Sequence, residues 1–275
     1  MKSVSPLIVQ VALACCLCCT TTSARGGLLL SASNDATLGG LTFSDGDIAD
    51  YLPSPDAASL FFDESGFLAN EDIDALFVRG NVIYLSTVDD ASLGGLAFRD
   101  GDVVAYNTLT DTATLVLSED LFSADENVDA LHVLSNGNLV LSTLGTSTIG
   151  GDTFADGDLI EYDPLTDTAT ELFSEALFDA NENIDSVYVR EDGTIVLSTS
   201  TAAVLSGFAF ENGDLVEYDP ISGAVRRIFN ESNFSTSENV DAFHLIPEPA
   251  SWLLLSLGLV AIVFWRRTQH RRRVT

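Results

Sequence analysis

Four copies of one pattern fill most of this chain, and that repetition constrains its fold more than any other feature. An acidic turn recurs as "DGD" at Asp45, Asp100 and Asp156 and as "NGD" at Asn212, in steps of 55, 56 and 56 residues. A second marker keeps the same steps: "EDID" from Glu71, "ENVD" from Glu126, "ENID" from Glu182 and "ENVD" from Glu238. A third does so again, as "LSA" at Leu30 and "LST" at Leu85, Leu141 and Leu197. Repeats of this kind bury their apolar surface against their neighbours, so the copies must share a core. They account for residues 25–246 as one domain without a linker.

Within a unit, four pieces read as strands. "IDSVYVR" alternates with the period of a half-buried strand, "EDG" supplies a tight turn, and "TIVLST" returns. After a longer loop of the "LGG-x-x-F" type comes "GDLIEYDP", ended by a proline that cannot donate to a ladder. A turn at "LTD" leads to the fourth piece, "TATELF". Four antiparallel strands per repeat make one blade of a β-propeller, so the chain is read as all-β and four-bladed. A β-solenoid, whose repeats are usually shorter, and an open array of hairpin sheets are the competing arrangements.

Blade order carries a further expectation. If the "ENID" strand is innermost, the repeat region starts in a second strand (residues 27–32) and ends in an inner strand (238–246) with nothing after it. The two orphans complete one another, so residues 28–31 are expected to pair with the C-terminal strand and finish the first blade. Such closure removes two exposed sheet edges.

Residues 25–246 hold six arginines and no lysine against 40 acidic residues, a net charge of −34. That balance excludes nucleic acid as a partner, since a polyanion needs cationic neutralisation. At the N-terminus, "MKSVSPLIVQVALACCLCCTTTSA" has a lone Lys2, an apolar stretch from 7 to 19 and small residues before Ala24. This is the layout of a signal peptide over residues 1–24. Cys15, Cys16, Cys18 and Cys19 all lie inside it, leaving the mature chain without thiols or disulfides. A rival reading makes "ALAC" a lipoprotein cut site with Cys15 lipidated, although the apolar run continues past it.

At the other end, residues 250–265 form a 16-residue run without a charge. As a membrane helix it would place Trp252 and Trp265 near its two ends, and the five arginines that follow would orient it with the acidic body outside the cytoplasmic membrane. Pro247-Glu248-Pro249, then the short hydrophobic helix, then a terminal arginine cluster together resemble the PEP-CTERM sorting signal, here over residues 247–275. The resemblance makes Pro247, Glu248 and Pro249 the sorting motif. It implies recognition by a membrane protease of the exosortase family and transient anchoring in the cytoplasmic membrane. It also implies a Gram-negative, biofilm- or exopolysaccharide-producing host, with delivery to the outer surface or extracellular matrix.

Residues fit for chemistry are few. Of three histidines, His270 lies in the tail, while His132 and His244 share a repeat position with Phe77 and Tyr188. A position open to Phe, Tyr or His reads as a packing site for a flat ring. No phosphate loop, zinc signature or nucleophile elbow occurs. The acid pairs Asp45/Asp47, Asp100/Asp102 and Asp156/Asp158, and Asn212/Asp214, read as turn chemistry around a glycine that supplies unusual dihedrals. The functional alternative is calcium, though the EF-hand spacing is incomplete. Asp74, Asp129, Asp185 and Asp241, at the entry to each inner strand, either ring a central channel or satisfy blade backbone.

No catalytic, cofactor-binding or metal-binding residue is therefore assigned. The blades are nearly interchangeable, the most divergent adding only Arg226 and Arg227, whereas enzymatic propellers usually break the repeat in single blades. The expectation is a non-enzymatic binding or structural protein, with an exosortase-type protease, the cytoplasmic membrane, and extracellular polysaccharide or a surface protein as partners. The alternative is a secreted polysaccharide hydrolase or lyase on the same scaffold.

Overall fold

In the computed structural model, which describes residues 26–246 other than residue 125, the repeats fold into four four-stranded antiparallel sheets. The second blade runs outward through Ile73–Arg79, Val82–Thr87, Val103–Asn107 and Thr112–Leu117. The third is built from Val128–Val133, Leu139–Thr143, Leu159–Asp163 and Thr168–Phe173. The fourth comprises Ser186–Val189, Ile195–Ser198, Leu215–Asp219 and Ala224–Phe229. The first is composite: Ala242–Ile246 lies innermost, followed by Gly27–Ser31, Ile48–Leu52 and Ala57–Phe62. Inner strands of neighbouring blades touch all the way round, closing the ring of a four-bladed propeller.

The seam lies where the strand order requires it. Gly27 pairs with Ile246, Leu28 with Leu245, Leu29 with His244, Leu30 with Phe243 and Ser31 with Ala242, all antiparallel. The open array and the solenoid are thereby set aside. The membrane helix expected at 250–265 and the signal peptide at 1–24 lie outside the described residues. Among the described residues no helix is long and apolar enough to cross a membrane.

Both faces of every blade are covered, which explains why strands such as Gly-Leu-Leu-Leu-Ser do not alternate strictly. Leu28 and Leu30 pack with Val196, Leu215 and Phe229 of the fourth blade, while Leu29 joins Ile73, Leu76 and Leu85 of the second. The core is accordingly four apolar layers, one between each pair of neighbours. No blade has a core of its own.

One expectation needs correction. The "LGG-x-x-F" segments are not loops but short hairpins: Ala36–Leu38 with Leu41–Phe43, Ala91–Leu93 with Leu96–Phe98, Ser147–Ile149 with Asp152–Phe154, and Ala203–Leu205 with Phe208–Phe210. Each repeat thus has six strands. The tip of the first hairpin is Gly39-Gly40, at φ +54° and +83°. A Cβ on Gly39 would collide with the backbone of Ala57 and Ala58, whose N–H donates to the Gly39 carbonyl at 3.2 Å. The other side of the hairpin reaches the preceding blade, where Leu38 bridges Phe234 and the Ser235 N–H donates to the Thr37 carbonyl at 2.9 Å. The hairpin therefore bonds to the blade's outer strand and stitches two blades together at the rim, a way of managing an edge that would otherwise invite pairing.

Because Phe243 is 1% exposed between two blades, Phe243→Ala should cost ~3–5 kcal/mol, as much as a substitution in an uninterrupted blade. Removing residues 239–246 should abolish cooperative unfolding in a calorimeter. A truncated chain that melts like the intact one would exclude a closed ring.

Candidate functional site

The contacts among the four inner strands bring equivalent side chains of the repeats together at the propeller axis. One such layer is Asp74, Asp129, Asp185 and Asp241, which act on one another electrostatically. Pairing passes from Ile73–Thr87 to Ala75–Ser86, and from Val128–Thr143 to Ala130–Ser142, so Asp74 and Asp129 are bulged out of their ladders. A bulge re-aims a side chain in this way. Asp185 and Asp241 sit just before their strands begin. All four are buried.

Asparagine clasps link most of the layer from blade to blade. Asn183 Nδ2 donates to Asp129 Oδ2 at 2.8 Å, and Asn239 Nδ2 donates to Asp185 Oδ2 at 2.9 Å and to Asp241 Oδ1 at 2.7 Å. The Asn127 amide favours the charged form of Asp74, though both Asp74 oxygens lack a partner at hydrogen-bond geometry. Ser198 Oγ adds a bond to Asp185 Oδ1 at 2.7 Å. The first repeat departs from this scheme. Where the others carry asparagine it carries Asp72, so Asp241 keeps the amide of Asn239 but meets an acid where the next blade would supply a second one.

Electrostatics follow from that geometry. Burial pushes Asp185 up to about 8, and burial with Asp185 and Asp72 nearby pushes Asp241 up to about 9. Asp72 rises to about 7 through burial and Asp45. Asp74 and Asp129 are held well above the usual carboxylate range, chiefly by burial.

Further along the axis, Phe77, His132, Tyr188 and His244 form a closed cycle of edge-to-face rings. Centroid separations are 4.7, 4.7, 5.3 and 5.0 Å in that order round the ring. Burial drives His132 down to about 3 and His244 to about 4, so both are neutral at neutral pH. The Val78 N–H donates to His244 Nδ1 at 3.3 Å, whereas His132 Nδ1 has no partner. These are the packed flat rings that the shared repeat position implies.

The acidic turns hold one blade to the connection that leads to the next. Asp47 accepts from the N–H groups of Ser44 (2.9 Å) and Glu64 (2.8 Å). Asp102, Asp158 and Asp214 make the same pair of bonds in their own blades. The role expected of the glycine between the acids is corrected. Gly46, Gly101, Gly157 and Gly213 are absent from the positive-φ residues. They are glycine because a Cβ would strike the carbonyl oxygen of Glu71, Glu126, Glu182 or Glu238. The two repeating markers are thus two sides of one contact.

Arg226 and Arg227 serve locally: Arg226 pairs with Glu217 at 2.7 Å and Arg227 with Asp214 at 2.8 Å. Sequence reasoning passed over Arg99, which stands where the other blades have Ser44, Ala155 and Glu211. It lines a cavity of about 440 Å³ with Glu71, Asp90 and Phe98, and its guanidinium is bound by Glu119 at 2.8 Å and Asp120 at 2.9 Å. Among the described residues, no three His, Cys, Asp or Glu side chains are grouped so as to hold a metal ion.

The inner strand Ala242–Ile246 runs directly into the tail. Residues 245–267 match the family model described as the PEP-CTERM protein-sorting motif. The chain carries a PEP-CTERM sorting signal. The signal implies an exported surface protein, transiently membrane-anchored and processed by an exosortase. Its matched region begins at Leu245, inside the strand that closes the ring. No curated protein sequence matches the chain. Among solved structures, the extracellular domain of a putative one-component system of B. thetaiotaomicron has a TM-score of 0.36 and 10% identity, covering 82% of this chain and 38% of that one. A Bacteroides caccae protein of unknown function has a TM-score of 0.35 and 10% identity, covering 74% and 73%. The PEP-CTERM chain therefore spans well under two-thirds of the length of the first of these.

Replacing the unpaired ring by His132→Phe removes a buried nitrogen that lacks a partner, and should raise stability by ~1 kcal/mol in a denaturant titration. Gly101→Ala forces a clash with Glu126 and should cost ~2 kcal/mol or more. A neutral Gly101→Ala would show that the turn is not held where the contact places it.

Proposed function

We propose that the protein acts at the outer surface or in the extracellular matrix as a binding or structural propeller, associated with exopolysaccharide and without catalytic activity. In this reading the acidic body faces away from the cytoplasm while the tail is anchored, and release by the exosortase delivers the ring outside. The observation that carries the reading is the use to which the repeated polar groups are put. Asp47, Asp102, Asp158 and Asp214 spend their oxygens on backbone N–H groups, and the four blades differ little in what they present. Four similar blades around one axis offer repeated contacts of modest strength, which suits a polymeric partner through multivalency.

The test follows sorting and turnover together. Full-length protein carrying an epitope after Thr275 is expressed in a host with an exosortase. The mature surface form should lack the tag, and alanine at Pro247, Glu248 and Pro249 should leave tagged protein at the membrane. Stable, fully tagged protein as the sole species would refute the sorting part. Retention of extracellular polysaccharide without shortening of its chains is the outcome expected for the body; rapid depolymerisation would establish the hydrolase or lyase alternative instead.

A further inference from the structure

The axial layer is short of hydrogen-bond donors. Neither oxygen of Asp74, which is 5% exposed, has a partner; nor has Asp129 Oδ1, in a residue also 5% exposed. The Oδ1 atoms of Asp72, Asn127, Asn183 and Asn239 are buried and unpartnered as well. All seven atoms are acceptors as placed, since carboxylates and amide oxygens donate nothing. Among the described residues no arginine or histidine forms an ion pair with Asp72, Asp74, Asp129, Asp185 or Asp241. The other charged groups that bear on the layer are acidic too: Asp45 towards Asp72 and Asp241, and Asp156 towards Asp129.

An isolated carboxylate in such surroundings is expensive, and a buried acceptor without a donor adds to the cost. A carboxylic acid solves both problems, because its O–H is neutral and supplies the missing donor. We infer that the axial aspartates bind protons as the ring closes, so that the folded protein carries a layer of neutral carboxylic acids at its hub at neutral pH. The raised values of Asp72, Asp185 and Asp241, attributed first to burial, point the same way.

Linkage fixes the sign of the consequence. The unfolded chain has released these protons above about pH 4, whereas the folded layer keeps them to higher pH. The stabilisation is therefore complete below the unfolded values and is lost as pH rises through the folded ones, about 7 for Asp72, 8 for Asp185 and 9 for Asp241. Ionisation sets like charges against each other at the axis, where the four inner strands meet. The ring becomes base-sensitive at its centre while its rim remains stitched.

Thermal unfolding of the full-length protein in detergent, with a chelator present, tests this. From about pH 6.5 to about pH 9 the Tm should fall by ~5 °C or more. The double variant Asp74→Asn/Asp129→Asn supplies amide donors that cannot ionise. With Asp72, Asp185 and Asp241 still present, it should make the fall shallower and melt above the unsubstituted protein at the basic end. A flat or rising Tm in the unsubstituted protein would overturn the proposal. So would a saturable stabilisation by calcium or magnesium, absent with sodium at equal ionic strength and absent in the double variant, since the layer would then hold metal instead of protons. Should the variant not fold, infrared spectroscopy of the unsubstituted protein decides. The carbonyl stretch of buried protonated carboxylic acid must be present at neutral pH and vanish on unfolding, and its absence would overturn the proposal equally.

Discussion

Everything in this molecule depends on one strand finding its partner. Each blade is a sheet with two apolar faces, and neither face is covered until a neighbour arrives on each side. Leu28 and Leu30 need the fourth blade, Leu29 needs the second, and the first blade lacks its inner strand until Ala242–Ile246 pairs with Gly27–Ser31. The four apolar layers are therefore completed by a contact between the two ends of the repeat region. Sequence separation of this size makes the closing contact costly in chain entropy before it is rewarded. Burial of whole faces, with Phe243 and Val240 in the seam, is what offsets that cost.

The polar groups fall into two classes around this apolar scaffold. At the outer part of each blade, carboxylates are met by backbone N–H groups and by the few arginines, and they do mechanical work in holding connections. At the axis, carboxylates are met by a few side-chain amides and, for Asp185, by the Ser198 hydroxyl, and in the first repeat Asp72 adds another acid. The same residue type is thus cheap to keep in one place and costly in the other, and the difference lies in the supply of donors. With a net charge of −34 and six arginines between residues 25 and 246, donors are the scarcer commodity throughout.

Much of this was legible in the sequence, for identifiable reasons. Markers repeating in nearly equal steps established the number of blades, and the orphan strands at 28–31 and 238–246 foretold which strands form the seam, though not their register. The hairpins were not legible because three-residue strands are too short to show a period. Their Gly-Gly tips read as loop, and only the contact of Gly39 with the Ala57–Ala58 backbone explains them. The glycine of the acidic turn was recognised for the wrong reason, since its constraint comes from a carbonyl in the other marker, far along the chain. Asp72 was visible as a departure from asparagine. Its meaning required Asp241, brought beside it by closure, and the burial that no single-residue pattern reports. Arg99 escaped notice because a lone arginine in a turn has no periodic context.

The ends of the ring also say something about its topology. In the other three blades, inner and second strands are joined by tight turns, as between Arg79 and Val82, where Gly80 takes φ +65°. In the first blade the paired residues Gly27 and Ile246 stand where such a turn would be. The described chain is in effect a circle opened at one hairpin, with the PEP-CTERM sorting motif following from one of the two cut ends. A circular permutant, joined from Ile246 to Gly27 by a short glycine-containing turn and opened at Gly80 instead, would have the same sheets, the same axial layers and no composite blade. The composite blade is thus a property of where the chain is opened and not of the sheets themselves, whose strand order is the same in all four blades.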